Sequence, residues 1–167
     1  MLVISKRVLW VLLVLNWVFV VFFALVLVAL LLGGDQAATA MAGLYPPDQA
    51  ALLLRAVAWM AALGITAGIA AHILFRRMLE VVATAIAGDP FTAANARRLR
   101  AVGWALLAIQ ILDLCFGALD WTVAAGTGER LGWSPSVGGW IAVLMVFVLA
   151  RVFEEGSRMR DELAMTV

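Results

Sequence analysis

The residue best suited to chemistry in this sequence is Asp113, an acid within an apolar run. That run extends from Ala101 to about Ala125 and also contains Gln110 and Asp120. If the run crosses a membrane, an ionisable side chain there is costly to bury and often marks a proton or ion pathway. Because no cation lies at its depth, we expect Asp113 to be protonated or hydrogen-bonded. Asp113 is therefore a candidate carrier of a proton or a cation.

Three amides and hydroxyls fall near the same depth as Asp113. At a helical rise of ~1.5 Å per residue, Asn16, Thr66 and Gln110 lie roughly 14–15 Å from the basic boundary of their apolar runs, and Asp113 lies at about 19 Å. We expect these four residues to form one buried polar cluster. The alternatives are that Asp113 joins helices as a hydrogen-bonded structural acid, or that it contacts a partner helix.

A second pair of charges projects to the opposite boundary. By the same count, Arg55 and Asp120 both lie at around 30 Å, and we predict an interfacial ion pair between them. Arg130 is the alternative partner of Asp120, and each side chain can also extend separately to water.

Motifs for enzymatic chemistry are missing from the sequence. It contains one His and one Cys, too few for a zinc site made by one chain. It has no phosphate loop, no nucleophile elbow and no metal-binding His-Glu-x-x-His helix. Arg97, Arg98 and Arg100 border an apolar run without an aromatic stacking platform, which argues against direct nucleic-acid binding. We expect no enzyme activity, no cofactor and no metal.

The elements that must position these residues are membrane helices. Hydrophobic residues make up 65% of the 167-residue chain and charged residues 14%, whereas soluble domains average about 45–50% and 25%. A spanning helix needs about 20 mostly apolar residues. Gly33-Gly34-Asp35 is expected to end the first span. The four predicted spans are Val8–Leu32, Ala56–Phe75, Ala101–Ala125 and Trp133–Val152.

Basic residues predict the orientation. Positive residues in short loops are retained in the cytoplasm, and ten of the twelve Lys and Arg residues fall on one side when both termini are inside. Only Arg55 and Arg130 fall outside. We therefore predict an all-α protein of the bacterial cytoplasmic membrane with four transmembrane helices, N-in and C-in.

The second and fourth helices are predicted to extend into the cytoplasm. Good helix formers continue from Arg76 to Ala87, and Gly88-Asp89-Pro90 then stops the helix. Thr92 can cap the next helix, and the tail after Val152 also has a helical pattern. We expect one four-helix domain, residues 1–167, with a small helical cap (residues 76–100 and 153–167) in which the tail lies against residues 78–86.

These cytoplasmic elements resemble the domain-of-unknown-function family 2975 (DUF2975), a family of small bacterial four-span proteins. The motifs that carry the resemblance are Gly88-Asp89-Pro90-Phe91, Asn95, Leu99-Arg100, Gly103-Trp104, Val152-Phe153-Glu154-Glu155-Gly156, Met159-Arg160-Asp161-Glu162-Leu163 and Thr166-Val167. Members resemble partners of small helix-turn-helix regulators encoded nearby. The resemblance implies no enzymatic activity.

Two functional hypotheses follow. In the first, the protein is a membrane-embedded binding or regulatory module that tethers or modulates a cytoplasmic transcription regulator. Its candidate partner-binding residues are Asp89, Phe91, Arg97, Arg98, Glu155 and Arg158. In the second, it is a small proton- or cation-coupled transporter or channel that works as a homo-oligomer through Asp113.

Overall fold

The protein, described by a computed structural model over residues 2–164, is all-helical in its regular structure. Its helices are α1 (Leu2–Met41), α2 (Pro47–Ile86), α3 (Ala93–Thr127) and α4 (Val137–Ala164). All four are long and apolar enough to cross a membrane, which confirms the predicted four-span fold. The predicted tail residues 165–167 lie outside the described residues.

Contacts divide the chain into two compact units. The first unit contains Met1–Asn16, Ala70–Gln110 and Ser136–Val167, and the second contains Trp17–Ile69 and Ile111–Pro135. The candidate partner-binding residues belong to the first unit, whereas Asp113, Asp120 and Arg55 belong to the second.

Helix α1 continues beyond the point where the sequence predicted its end. Gly33 leaves helical geometry (φ −121°, ψ 20°), but helical structure resumes and reaches Met41. The Thr39 hydroxyl donates to the Asp35 carbonyl at 2.7 Å within this continuation. A glycine in a helix costs only about 1 kcal/mol, and the alanine-rich segment that follows favours helix. Gly33 therefore interrupts the first helix at the predicted position, but a second helical segment that the sequence did not predict continues to Met41.

Two glycines in the second unit pack against aromatic rings. A Cβ on Gly64 of α2 would lie 2.6 Å from the ring of Phe23 on α1, and a Cβ on Gly117 of α3 would lie 2.7 Å from the Trp133 ring. Real Cβ atoms do not approach so closely, so any larger residue at these two positions would require the ring to shift. Small residues let elements pack closely in lipid, and these two glycines each accommodate an aromatic ring.

Two helix boundaries were predicted correctly and one was displaced. Gly88 follows α2 with a φ of 85°, the left-handed geometry expected after a helix. Thr92 caps α3, because its Oγ1 accepts from the Asn95 amide at 3.2 Å. Helix α4, however, begins at Val137 and not near Trp133. Ser136 accepts from the Gly139 amide at 3.3 Å, so the cap forms after Pro135.

Candidate functional site

The helical cap is built where the turn after α2 meets the end of α4. The rings of Phe91 and Phe153 lie 5.0 Å apart between centroids, tilted by 35°. The Phe91 ring also covers Gly156, where a Cβ would lie 3.2 Å from it. Arg160 pairs with Asp89 in the same turn. The tail of α4 is thus held against the turn that follows the predicted 78–86 extension.

Asn95 joins the elements of the cap from its centre. It is fully buried, and its Nδ2 donates to Thr84 Oγ1 at 2.6 Å and to the Pro90 carbonyl at 2.8 Å. Its Oδ1 accepts from Arg98 Nη1 at 2.8 Å. One amide therefore links the end of α2, the turn and the first turns of α3. In the sequence, Asn95 stood out only as part of the family motif. Its position three residues after the Thr92 cap was the one feature that could have indicated its structural role.

Two carboxylates complete the frame. Glu80 Oε2 accepts from Arg98 Nε at 2.9 Å and from Arg77 Nη1 at 3.0 Å. Glu154 Oε2 accepts from Arg100 Nη2 at 3.0 Å and from Arg151 Nη1 at 3.1 Å. Glu80 therefore joins α2 to α3, and Glu154 joins α3 to α4.

These ion pairs change the acidity of both carboxylates, which lie beyond the predicted apolar spans. Burial alone would raise the pKa of Glu80, but the hydrogen bonds and charges of Arg77 and Arg98 outweigh it and hold the pKa below its ordinary value. The hydrogen bond from Arg100, followed by that from Arg151, lowers the pKa of Glu154. Both groups are therefore held as carboxylates near neutral pH.

The six candidate partner-binding residues differ in how much surface they leave available. Arg98 is bonded to Glu80 and Asn95 and has a side chain only 27% exposed, so its first task is structural. Arg97 is exposed, and Phe91 remains 46% exposed despite its ring contact. The remaining candidates are engaged in surface pairs: Asp89 with Arg160, and Glu155 with Arg158 at 2.7 Å.

The predicted polar cluster is not joined by the hydrogen bonds of Thr66 or Gln110. Thr66 donates to the Ala62 carbonyl of its own helix at 2.8 Å. Gln110, almost fully buried, donates to the Ser136 carbonyl at 3.3 Å and so ties α3 to the start of α4. Asn16 lies partly buried on α1. Counting residues along each helix placed these groups at similar depths, but it could not predict which atoms their side chains would hydrogen-bond.

Asp113 differs from the other members of that set. One of its carboxyl oxygens, Oδ2, is buried and has no hydrogen-bond partner among the described residues. A buried polar atom without a partner costs about 1–3 kcal/mol, so this position calls for an explanation beyond packing.

The predicted interfacial ion pair of Asp120 forms with a different arginine, Arg130. Asp120, fully buried, accepts from Arg130 Nη2 at 3.0 Å and Nε at 3.3 Å, and also from the Leu131 amide. The prediction that Arg55 is its partner is wrong. The loop after α3 turns back at Gly128 and Gly132, which have φ values of 77° and 85°, and this path brings Arg130 to Asp120.

Arg55 instead borders an apolar groove of about 510 Å³ in the second unit. The groove residues include Trp59, Leu63 and Cys115. Across the described residues, no group of three His, Cys, Asp or Glu side chains is placed to hold a metal ion. No cofactor site is proposed.

Comparison with known proteins identifies one relationship. A family model described as a protein of unknown function (DUF2975) matches residues 36–167. No curated protein and no solved structure matches the chain. The matched range contains all of α2, α3 and α4 and includes every residue of the cap described above.

Proposed function

The chain belongs to the DUF2975 family of proteins of unknown function, and we propose that it is a membrane-embedded module that binds a cytoplasmic protein through its helical cap. The partner class suggested by the family resemblance is a small helix-turn-helix transcription regulator. The module would tether that regulator at the membrane or modulate its activity.

The observation that carries this proposal is the half-exposed ring of Phe91 on a fixed frame. Its inner side packs on Phe153 and Gly156, so little conformational freedom remains to be lost when a partner covers the outer side. Aromatic anchors of this kind are enriched among residues that dominate protein–protein affinity. Preorganised side chains also lower the entropic cost of binding.

Charged side chains on the same cap elements supply a means of discrimination. Glu155 and Arg158 form an exposed pair close in sequence to Phe153 and Gly156, and Arg97 is exposed on α3. Complementary charges around an apolar centre speed encounter and disfavour wrong partners more than they raise affinity.

The proposal requires the cap to face the cytoplasm of a bacterial cell, with both termini inside. The basic residues support this orientation by the positive-inside rule. Reporter fusions at the two termini and at residues 40 and 128 test it: we expect cytoplasmic reporter activity at both termini and periplasmic activity at the two internal positions. Periplasmic activity at either terminus would contradict the orientation.

Co-purification tests the binding function. The tagged full-length protein is compared with the Phe91→Ala/Glu155→Ala double variant, and the cytoplasmic proteins that each retains, helix-turn-helix regulators above all, are identified and quantified by mass spectrometry. The matched control is Phe19→Ala/Glu129→Ala, which removes the same two side-chain types at exposed positions outside the cap. We expect retention by the wild type and the control and loss by the cap variant. If the wild type retains no cytoplasmic protein, or the cap variant retains it equally, the proposal fails.

The unpartnered oxygen of Asp113 favours a second candidate function, a proton- or cation-coupled transporter or channel that acts as a homo-oligomer. One chain of four helices has little room for an ion pathway, whereas a second copy of the chain could complete the wall of such a pathway. Asp113→Asn retains the shape of the side chain and removes its carboxyl group.

Liposomes containing the purified protein and an internal pH-sensitive dye test this candidate. We expect proton entry under an imposed gradient, abolished by Asp113→Asn and retained by Asp48→Asn, a control at an exposed position on α2. Equal proton entry through Asp113→Asn and wild-type protein would exclude coupling through Asp113.

A further inference from the structure

A pocket of about 300 Å³ lies between the end of α2 and the start of α3. Three arginines and a single carboxylate line it, together with two alanines that leave the space open: Arg77, Arg97, Arg98, Glu80, Ala94 and Ala101. The lining therefore carries a net charge of +2. All six residues belong to the first unit.

The single carboxylate does not neutralise the pocket. Glu80 uses one oxygen, Oε2, for both Arg77 and Arg98. Arg98 is fixed further by Asn95, so its guanidinium is held at the wall of the pocket. Arg97 is exposed and has no ion pair or side-chain hydrogen bond among the described residues. The pocket thus combines a fixed guanidinium with an unneutralised one.

The position of the pocket suggests the kind of anion that fills it. Arg77 lies two residues after Phe75, where the apolar run of α2 ends, and Ala101 begins the apolar run of α3. The pocket therefore lies at the boundary between apolar and polar sequence, where lipid phosphates lie when these helices cross a membrane. Basic pockets between transmembrane helices on the cytoplasmic side bind anionic headgroups, and guanidinium groups match phosphate geometry with two parallel hydrogen bonds.

We propose that this pocket binds a phosphate group, with Arg97 as the residue that recognises it and Arg98 as a fixed second donor. The ligand class is an anionic phosphodiester lipid of the inner leaflet or a soluble phosphate. This site shares Arg97 and Arg98 with the candidate partner-binding residues. Phosphate binding requires no protein partner, so the two proposals can be tested separately.

Native mass spectrometry of the purified full-length protein tests the site with three probes: short-chain phosphatidylglycerol, phosphatidylcholine of the same chain length, and inorganic phosphate. The variant is Arg97→Gln, which leaves the Glu80–Arg98–Asn95 bonds in place. The control is Arg151→Gln, which removes the same charge from α4 outside the pocket. The Arg151 side chain is 76% exposed, so its replacement should not disturb packing.

We expect wild-type protein and Arg151→Gln to prefer phosphatidylglycerol over phosphatidylcholine, and Arg97→Gln to bind phosphatidylglycerol about tenfold more weakly. Arg97→Lys retains the charge without the planar fork and should fall between wild type and Arg97→Gln. Binding of inorganic phosphate that depends on Arg97, without a phosphatidylglycerol preference, would support the phosphate site and assign it to a soluble ligand. Equal binding of all probes by wild type and Arg97→Gln would overturn the proposal, whatever the result of the co-purification experiment.

Discussion

The ring of Phe91 lies against the ring of Phe153, with centroids 5.0 Å apart and planes tilted by 35°. Because Phe91 comes from the turn after α2 and Phe153 from α4, the contact fixes the turn on the tail of the fourth helix. The outer side of Phe91 nevertheless stays uncovered in the isolated chain. A rigid, half-exposed aromatic side chain is the feature on which the proposed binding function depends.

Asn95→Ala is expected to destabilise the protein by about 1–3 kcal/mol, because it leaves buried partners of the amide without hydrogen bonds. The measurement is thermal unfolding in detergent. Asn95→Asp retains the acceptor for Arg98 but loses both donated bonds, so it should also destabilise. Thr39→Ala, which removes one exposed hydrogen bond within α1, is the control. An unchanged unfolding temperature for Asn95→Ala would show that Asn95 does not hold the cap.

Asp120→Ala should cost about 1–3 kcal/mol, since the Leu131 amide and Arg130 both lose their acceptor. Arg130→Gln should cost less than Asp120→Ala, because Asp120 still accepts the hydrogen bond from the Leu131 amide. Arg55→Gln should leave the unfolding temperature unchanged. A larger loss for Arg55→Gln than for Arg130→Gln would restore the pairing that the sequence suggested.

Gly64→Ala is expected to destabilise the second unit, because the added methyl would overlap the Phe23 ring and overpacking typically costs about 1–3 kcal/mol. Phe23→Leu in the same chain should recover part of that loss, so the two changes should be non-additive. Gly34→Ala, where the added Cβ meets no atom within 4 Å, is the control. Additive effects of the Gly64 and Phe23 changes would contradict the contact.

The cap should lose stability in acid. The pKa values of Glu80 and Glu154 lie below the ordinary value of 4.5 in the folded protein. A carboxylate with a depressed folded pKa contributes stability that is full above its unfolded pKa and is lost as pH falls through the folded pKa. Unfolding temperatures of wild type should therefore fall from about pH 4.5 downward. The Glu80→Gln/Glu154→Gln variant should be less stable than wild type at pH 7, and its unfolding temperature should fall less on acidification. An equal fall in both proteins would show that Glu80 and Glu154 do not cause the loss of stability in acid.

Much of the fold could be predicted from the sequence, because long apolar runs in lipid leave few alternatives to helices. The turn at Gly88 and the cap at Thr92 were predictable for a similar reason, since local backbone chemistry dictates both. The partner of Asp120 was not, because counting residues along helices carries no information about the path of a loop. The bonds of Asn95 and Gln110 depend on side-chain directions between helices, which periodicity does not give.

The most direct test of the central claim is photo-crosslinking in living cells at the position of Phe91. A photoreactive phenylalanine analogue is placed at Phe91 and, separately, at Phe19, which is 54% exposed on α1. The proposed function predicts a crosslink from position 91 to a soluble cytoplasmic protein, identified by mass spectrometry as a helix-turn-helix regulator, and none from position 19. Crosslinks from position 91 to lipid alone, or the same products from both positions, would contradict the binding function.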